Sequence, residues 1–574
     1  MEFKAPVEEQ LFALTYFAGI RALADDPRFA EADAEMVDAI VRGIGALAEG
    51  EFAPLNRTGD RDGTPVVDGR VRMPAGFKEA WRAYSDGGWA SLAAPREFGG
   101  QGLPFSLATV VLESVGAANM AFTLCPILTV GAVDAIYHHG NDDQKARYLP
   151  KLAGGEWTGT MNLTEPQAGS DVGALRTTAT PLGDGTWSIS GQKIFITFGD
   201  HDLTDNIVHL VLARTPGAPD GSRGVSLFLV PKFRLNADGT PGEENGIETV
   251  AVEHKLGINA SPTCVLNYGG KGPSIGTLIG PENGGLKAMF TMMNSARLNV
   301  GLQGVQIAER ACQQARAYAM ERIQSPRAGS ASKDPVAIIE HPDVRRMLFR
   351  MQASTDAIRA LLYFAAGQAD RASLGIQGAQ AMVDLLTPMA KAYATDMGVE
   401  IASLGIQIHG GAGFIEATGA AQHLRDSRIA PIYEGTNGIQ AADLVNRKLP
   451  MENGDVARTL LAQIAADASA EPHLAELAKT CATLTDWLLT EASLDDRLAG
   501  SVPFCNMLAT AICGWLMVKQ ADAVREQGDD FERRRFAFAR FYLDQLVPEA
   551  LGLKAAVTAG SAPLYALPSD LLGA

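Results

Sequence analysis

The spacing of apolar residues changes twice along this chain, and those two changes constrain its fold more than any single motif does. Up to about residue 155 apolar positions recur at helical intervals: Leu11, Phe12, Leu14, Phe17 and Ile20 make one stripe, and 112–136 is a long apolar-rich stretch. From about 159 they alternate instead, as in Trp187 and Ile189, in Val208, Leu210 and Leu212, and in Val225, Leu227 and Leu229. Gly183-Asp184-Gly185 and Pro219-Asp220-Gly221 supply turns between these runs, and the alternating region closes near Gly269-Gly270. Helical spacing returns with Leu286, Met289, Phe290 and Met293 and persists to about 450, broken by a polar, proline-containing loop at 324–342. A further helical block follows Pro450, and no fixed-period repeat is present.

This order predicts an α+β multidomain protein. An N-terminal helical domain (1–158) precedes a small central β-barrel-like domain (159–275), a helical bundle (276–450) and an additional C-terminal helical domain (451–574). The length of 574 residues agrees, since one hydrophobic core stops growing well below it.

Charge and composition remove several function classes. The net charge of −17 disfavours a nucleic-acid surface, which needs clustered Lys and Arg. The one compact basic run, Arg533, Arg534, Arg535 and Arg540 with Phe536 and Phe538, reads as a solvated helix face paired with nearby acids. The six cysteines show no C-x-x-C spacing and the nine histidines no H-E-x-x-H, so neither a disulfide framework nor a metal site is expected. No apolar run suggests a membrane span, and the start MEFKAPVEEQ lacks the basic n-region of a secretory signal. A cytoplasmic address is the expectation.

Two glycine patterns are set aside. Gly43-Ile44-Gly45-Ala46-Leu47-Ala48 matches G-x-G-x-x-A, but no strand precedes it to aim a glycine turn at a pyrophosphate. Gly410-Gly411-Ala412-Gly413 fails that spacing, with Glu416 where a third glycine belongs.

Four segments carry sharper chemistry. Leu163 to Asp171 (LTEPQAGSD) is a loop whose N–H groups and hydroxyls suit a planar or anionic ligand, though an ordinary turn has the same composition. Lys193-Ile194-Phe195-Ile196-Thr197 reads as a strand with Phe195 and Thr197 on one face, which serves a core as readily as a ligand. In Ile406 to Phe414 the glycines permit close approach of a flat ring or simply end a helix. In Ile432-Tyr433-Glu434-Gly435-Thr436 a glutamate among apolar residues would have a raised pKa and act as a general base; a solvated glutamate at a helix start is the alternative.

Taken together and in this order, the TEPQAGSD, QKIFIT, IQIHGGAGF and YEGTNGIQ segments resemble the acyl-CoA dehydrogenase family across roughly residues 80 to 450. The block after 450 resembles a subgroup with an extra C-terminal helical domain. The resemblance implies FAD as cofactor and Glu434 as the base that removes the α proton of an acyl-CoA thioester. It implies that Met161, Leu163, Thr164, Gly169 and Ser170 line the flavin, that Phe195 packs on the ring and that Thr197 reaches N5. Arg322 and Gln324 would reach the FAD diphosphate of a neighbouring subunit, Gln407 to Gly411 its adenosine side, and Thr436 and Gly438 would close over the cofactor. Ser170, Asn294, Arg297 and Gly435 would contact substrate. Phe195 stands where relatives often have Trp, Asn294 where they more often have an acid, and Gln324-Ser325-Pro326 where they have Thr-Phe-Gly.

The implied partners are an acyl-CoA, an electron-transfer flavoprotein as acceptor, and a second copy of the chain in a homodimer. An acyl-CoA oxidase shares the fold and differs in reducing dioxygen. A DNA-associated alkylation-response flavoprotein would need a basic tail, whereas residues 451–574 carry 17 acidic against 10 basic residues. Chain length and head chemistry of the acyl group, sulfur included, are left open.

Overall fold

A computed structural model describes residues 2–573, with nothing said of the side chains at 294 and 295. The chain divides into two compact units, 2–5 with 27–296 and 6–26 with 297–574.

In the first unit, helices α1 (Phe105–Ala118), α2 (Met120–His139) and α3 (Asp142–Ala153) precede the strands. Asn119 caps α2 by accepting from the Phe122 N–H, and Asn141 with Gln144 forms a reciprocal capping box on α3. The strands of the main sheet are β1 (Thr158–Asn162), β2 (Thr178–Pro181), β3 (Trp187–Thr197), β4 (Ile207–Ala213), β5 (Ser226–Pro231), β6 (Ile247–Val252), β7 (Thr263–Tyr268) and β8 (Ser274–Ile279). They form one sheet in the order β6-β7-β3-β8-β5-β4-β1, with β2 paired to β3, and only the β1–β4 pairing is parallel.

The alternation of the sequence marks two apolar faces here. Val208, Leu210, Leu212, Leu227 and Leu229 pack with Ala132 and Ile136 of α2 and Leu149 and Leu152 of α3. Val211, Ala213, Phe228 and Val230 face the other way, into a second core with Ile189, Ile196 and Leu266. Covered on both sides, β4 and β5 are buried throughout, unlike the half-solvated strands that alternation alone suggests.

Helix α4 (Gly285–Glu321) begins in the first unit and continues in the second. There it joins α5 (Pro342–Ser373), α6 (Ala379–His409) and the short α7 (Asn437–Asp443), with α8 (Leu494–Ala523) and α9 (Asp530–Phe541) in the C-terminal block. A Cβ at Gly304 of α4 would lie 2.0 Å from the Ala394 carbonyl oxygen of α6, so only glycine permits this approach of the two backbones. Residues 6–26 group with this unit; Arg371 donates to the Ala18 carbonyl at 2.9 Å.

The basic run at 533–540 differs from the solvated face expected of it. Arg533 pairs with Asp530 and Arg540 with Glu471 and Asp544, but Arg535 is buried, 3.1 Å from Asp356 and stacked on Phe12. Buried apolar and acidic neighbours from other helices draw that one guanidinium inward. Among the described residues two helices, Met120–His139 and Leu494–Ala523, are long and apolar enough by length and composition alone to cross a membrane. Most of each is buried against the protein's own core, the alternative use of an all-round apolar helix. The Gly43–Ala48 pattern lies across a helix, Ala34–Leu47, and its extension, with no strand before it among the described residues.

Candidate active site

The first unit carries the TEPQAGSD loop beside β3. Glu165 and Lys193 make a buried ion pair at 2.8 Å, their side chains 4% and 0% exposed. Glu165 also accepts from the Arg176 and Thr177 N–H groups and the Thr177 hydroxyl, and Lys193 donates to the Leu163 carbonyl at 2.9 Å. Burial alone would raise the Glu165 carboxyl; the Lys193 charge and these donors overcome it and hold it at about 2. The Ile194 N–H donates to the Thr164 carbonyl, so the loop is tied to the strand at both 193 and 194.

At that point β3 departs from regular pairing. Its register against β7 slips between Cys264 and Leu266, and Phe195 adopts φ 60. This bulge frees the Phe195 ring, which is 59% exposed although its neighbours Lys193 and Ile196 are buried. Strict alternation predicts no such break. Of the other residues on this side, Met161 is buried in β1, Leu163, Thr164 and Thr197 are partly buried, and Gly169 and Ser170 are exposed. A Cβ at Gly169 would meet nothing within 4 Å.

The second unit carries the glutamate. Glu434 has φ 55 and Gly435 φ 84, two successive left-handed residues that turn the chain sharply before α7. Thr436 caps α7 by accepting from the Ile439 N–H, Gln440 donates to the Glu434 carbonyl at 3.3 Å, and the Tyr433 hydroxyl donates to Gln303 of α4. Desolvation raises the Glu434 carboxyl above the ordinary carboxylate range, against the opposing pull of Arg297 and Lys391. Arg297 is nearly buried, 4.0 Å from Asp443, and the side chain of Asn294 lies outside those described. Thr436 and Gly438 are exposed beside the turn.

Gln407 is exposed near the end of α6, and a Cβ at Gly410 or Gly411 would meet nothing within 4 Å. Arg322 and Gln324 are exposed at the root of the 324–341 loop, where the Gln324 N–H donates to the Val336 carbonyl. Thus Met161 to Thr197 belong to one unit, and Arg297 to Gly438 to the other. Residues that sequence reading left without a role here are Gln303, Lys391, Asp396 and Asn437. The signal was faint: one lysine inside the apolar run LLTPMAKAYA and one asparagine inside the glutamate segment. Among the described residues no group of three or more His, Cys, Asp or Glu side chains could hold a metal ion.

The chain belongs to the acyl-CoA dehydrogenase family: the family's N-terminal domain matches residues 37–156, its middle domain 160–269 and its C-terminal domain 283–449. Residues 456–568 match the acetyl-CoA dehydrogenase C-terminal-like domain. Over 96% of its length the chain is 46% identical to 3-methylmercaptopropionyl-CoA dehydrogenase of Ruegeria pomeroyi, covering 97% of that protein. It is 36% identical to a butyryl-CoA dehydrogenase of Syntrophomonas wolfei, over 90% of each chain. Its fold is that of an acyl-CoA dehydrogenase from Bacillus anthracis solved with FAD, with TM-score 0.75 and 21% identity, covering 92% of this chain and 89% of that one.

Proposed function

We propose that Glu434 is the catalytic base in the α,β-dehydrogenation of an acyl-CoA thioester, with 3-methylmercaptopropionyl-CoA as the substrate to test first. The observation that carries this reading is a partly buried carboxyl on a strained turn, with desolvation raising its pKa against the pull of Arg297 and Lys391. A base must be nearly matched to the proton it takes, and burial moves a glutamate toward neutral pH. The substrate choice is supported by the 46% identity, which extends over nearly the whole of both chains; the butyryl-CoA enzyme, at 36%, supplies the unsubstituted alternative.

The residues suit FAD. An aromatic ring exposed on a bulged strand offers a stacking surface, and Gly169, Gly410 and Gly411 have open space where a Cβ would project. Thr164, Ser170 and Thr197 bring hydroxyl donors, and Arg322 with Gln324 an exposed cation and amide for a diphosphate. When bound, FAD supplies the two-electron acceptor for the β hydrogen. Glu434 takes the α proton and becomes neutral, and the negative charge it gives up passes to the thioester as enolate character, so the net charge of the site is unchanged by this transfer. Arg297 and Lys391 favour the ionised base until then. An electron-transfer flavoprotein as acceptor, a homodimer and a cytoplasmic address complete the reading.

Glu434→Gln tests it. The variant should retain bound flavin and lose at least about a hundredfold in turnover of 3-methylmercaptopropionyl-CoA and butyryl-CoA alike. Turnover within about tenfold of wild type would remove Glu434 from the role.

A further inference from the structure

The turn that carries Glu434 is fastened three residues later. Asn437, the first residue of α7, places its Nδ2 at 3.0 Å from the Ala392 carbonyl, 3.0 Å from the Thr395 hydroxyl and 2.8 Å from Asp396 Oδ1. Its Oδ1 accepts from Lys391 Nζ at 2.8 Å. All four partners lie on one stretch of α6, and the Lys391 side chain is wholly buried. An ammonium is a costly way to fill such a space; a methionine of similar length would pack there without the loss of hydration. The lysine therefore needs a reason beyond packing.

Accepting Glu434 as the base, we infer that Lys391 and Asn437 are its positioning residues: Lys391 orients the Asn437 amide, Asn437 locks the strained turn onto α6, and the buried ammonium favours the ionised base. The charges around the carboxyl are few. Arg297 of α4 and Lys391 of α6 act on Glu434 itself. Asp396 lies beside Lys391 and Asn437, with Arg428 acting on it in turn. Asp443 sits between Arg297 and Arg447, at 4.0 and 3.2 Å, and so tempers the arginine. Desolvation brings the Lys391 ammonium down to about 8, so it is charged at neutral pH and fades in the alkaline range. Glu434, a non-glycine residue in the left-handed region, stores strain that the turn would relieve if it were released, and Asn437 is the anchor that ties the turn to α6.

The test uses the flavin-loaded enzyme with butyryl-CoA and a dye acceptor, rates taken per bound flavin. Lys391→Met should lower kcat and move the acid limb of kcat/KM to higher pH, so that its deficit at pH 6 exceeds its deficit at pH 9 by at least about threefold. Lys391→Arg should restore the limb. Asn437→Ser leaves both charges in place and should cost roughly tenfold or more in kcat with the limb unmoved, because the base is displaced and not retuned. A purely structural lysine would lower the melting temperature in Lys391→Met and leave the rate per flavin and the profile unchanged; that result overturns the inference. Should Lys391→Met not fold, Asn437→Ser within twofold of wild-type kcat overturns it equally. Glu434→Gln run alongside separates the cases: near-normal turnover there removes the base itself, whatever the lysine does.

Discussion

Lys193→Met should destabilise the first unit by about 3 to 4 kcal/mol. A Glu165 carboxyl held at about 2 rather than 4.5 is stabilised in its charged form by about 3 kcal/mol, at about 1.36 kcal/mol per tenfold. Breaking a buried pair by removing one partner costs about 3–5 kcal/mol. Glu165 would keep the Arg176 and Thr177 donors, which favours the low end, while the Leu163 carbonyl would lose its lysine donor, worth about 1 kcal/mol. Urea unfolding of wild type, Lys193→Met, Glu165→Gln and the double variant gives the coupling directly. The double variant should be less than additive, with neither ion left stranded. The pH dependence has a fixed sign. A depressed carboxyl contributes stability that is present above about 4.5 and disappears as pH falls toward about 2, so the wild type should lose more on acidification than Lys193→Met. A loss below about 1 kcal/mol in Lys193→Met, or a coupling within about 0.5 kcal/mol of zero, would refute the reasoning.

Glu434→Gln should unfold at a higher temperature than wild type at pH 8, because a carboxyl with a raised pKa weakens the fold wherever it is ionised. The difference should shrink as pH falls and the wild-type carboxyl takes up its proton; a gap independent of pH would contradict the desolvation argument. Gly304→Ala drives a Cβ to 2.0 Å from the Ala394 carbonyl and should cost about 1–3 kcal/mol in denaturant unfolding, by forcing α4 and α6 apart. Tyr433→Phe removes the donor to Gln303 and leaves that buried amide short of a partner, for about 1–3 kcal/mol in the same assay. All six cysteines are buried and free, so a thiol reductant should leave the melting temperature unchanged.

The residues alone disclose the order of helices, strands and helices, and four segments that resemble the motifs of one family. Periodicity and turn residues are local properties, and each acts within a few neighbours. The neighbours of Glu434 fit a solvated glutamate at a helix start as well as a desolvated base, and it is the order of the four segments, resembling one family, that singles it out. Other features became visible only in three dimensions. The inward turn of Arg535 depends on Asp356, far away in sequence. The release of Phe195 depends on a slip against β7, some seventy residues on. The partners of Lys391 and Asn437 depend on α7 lying along α6. Hydrophobic spacing says which side of an element is dry; it does not say which buried polar groups from distant elements meet there. Those meetings set the pKa values and the strain, because low dielectric and fixed geometry exist only once the chain has folded.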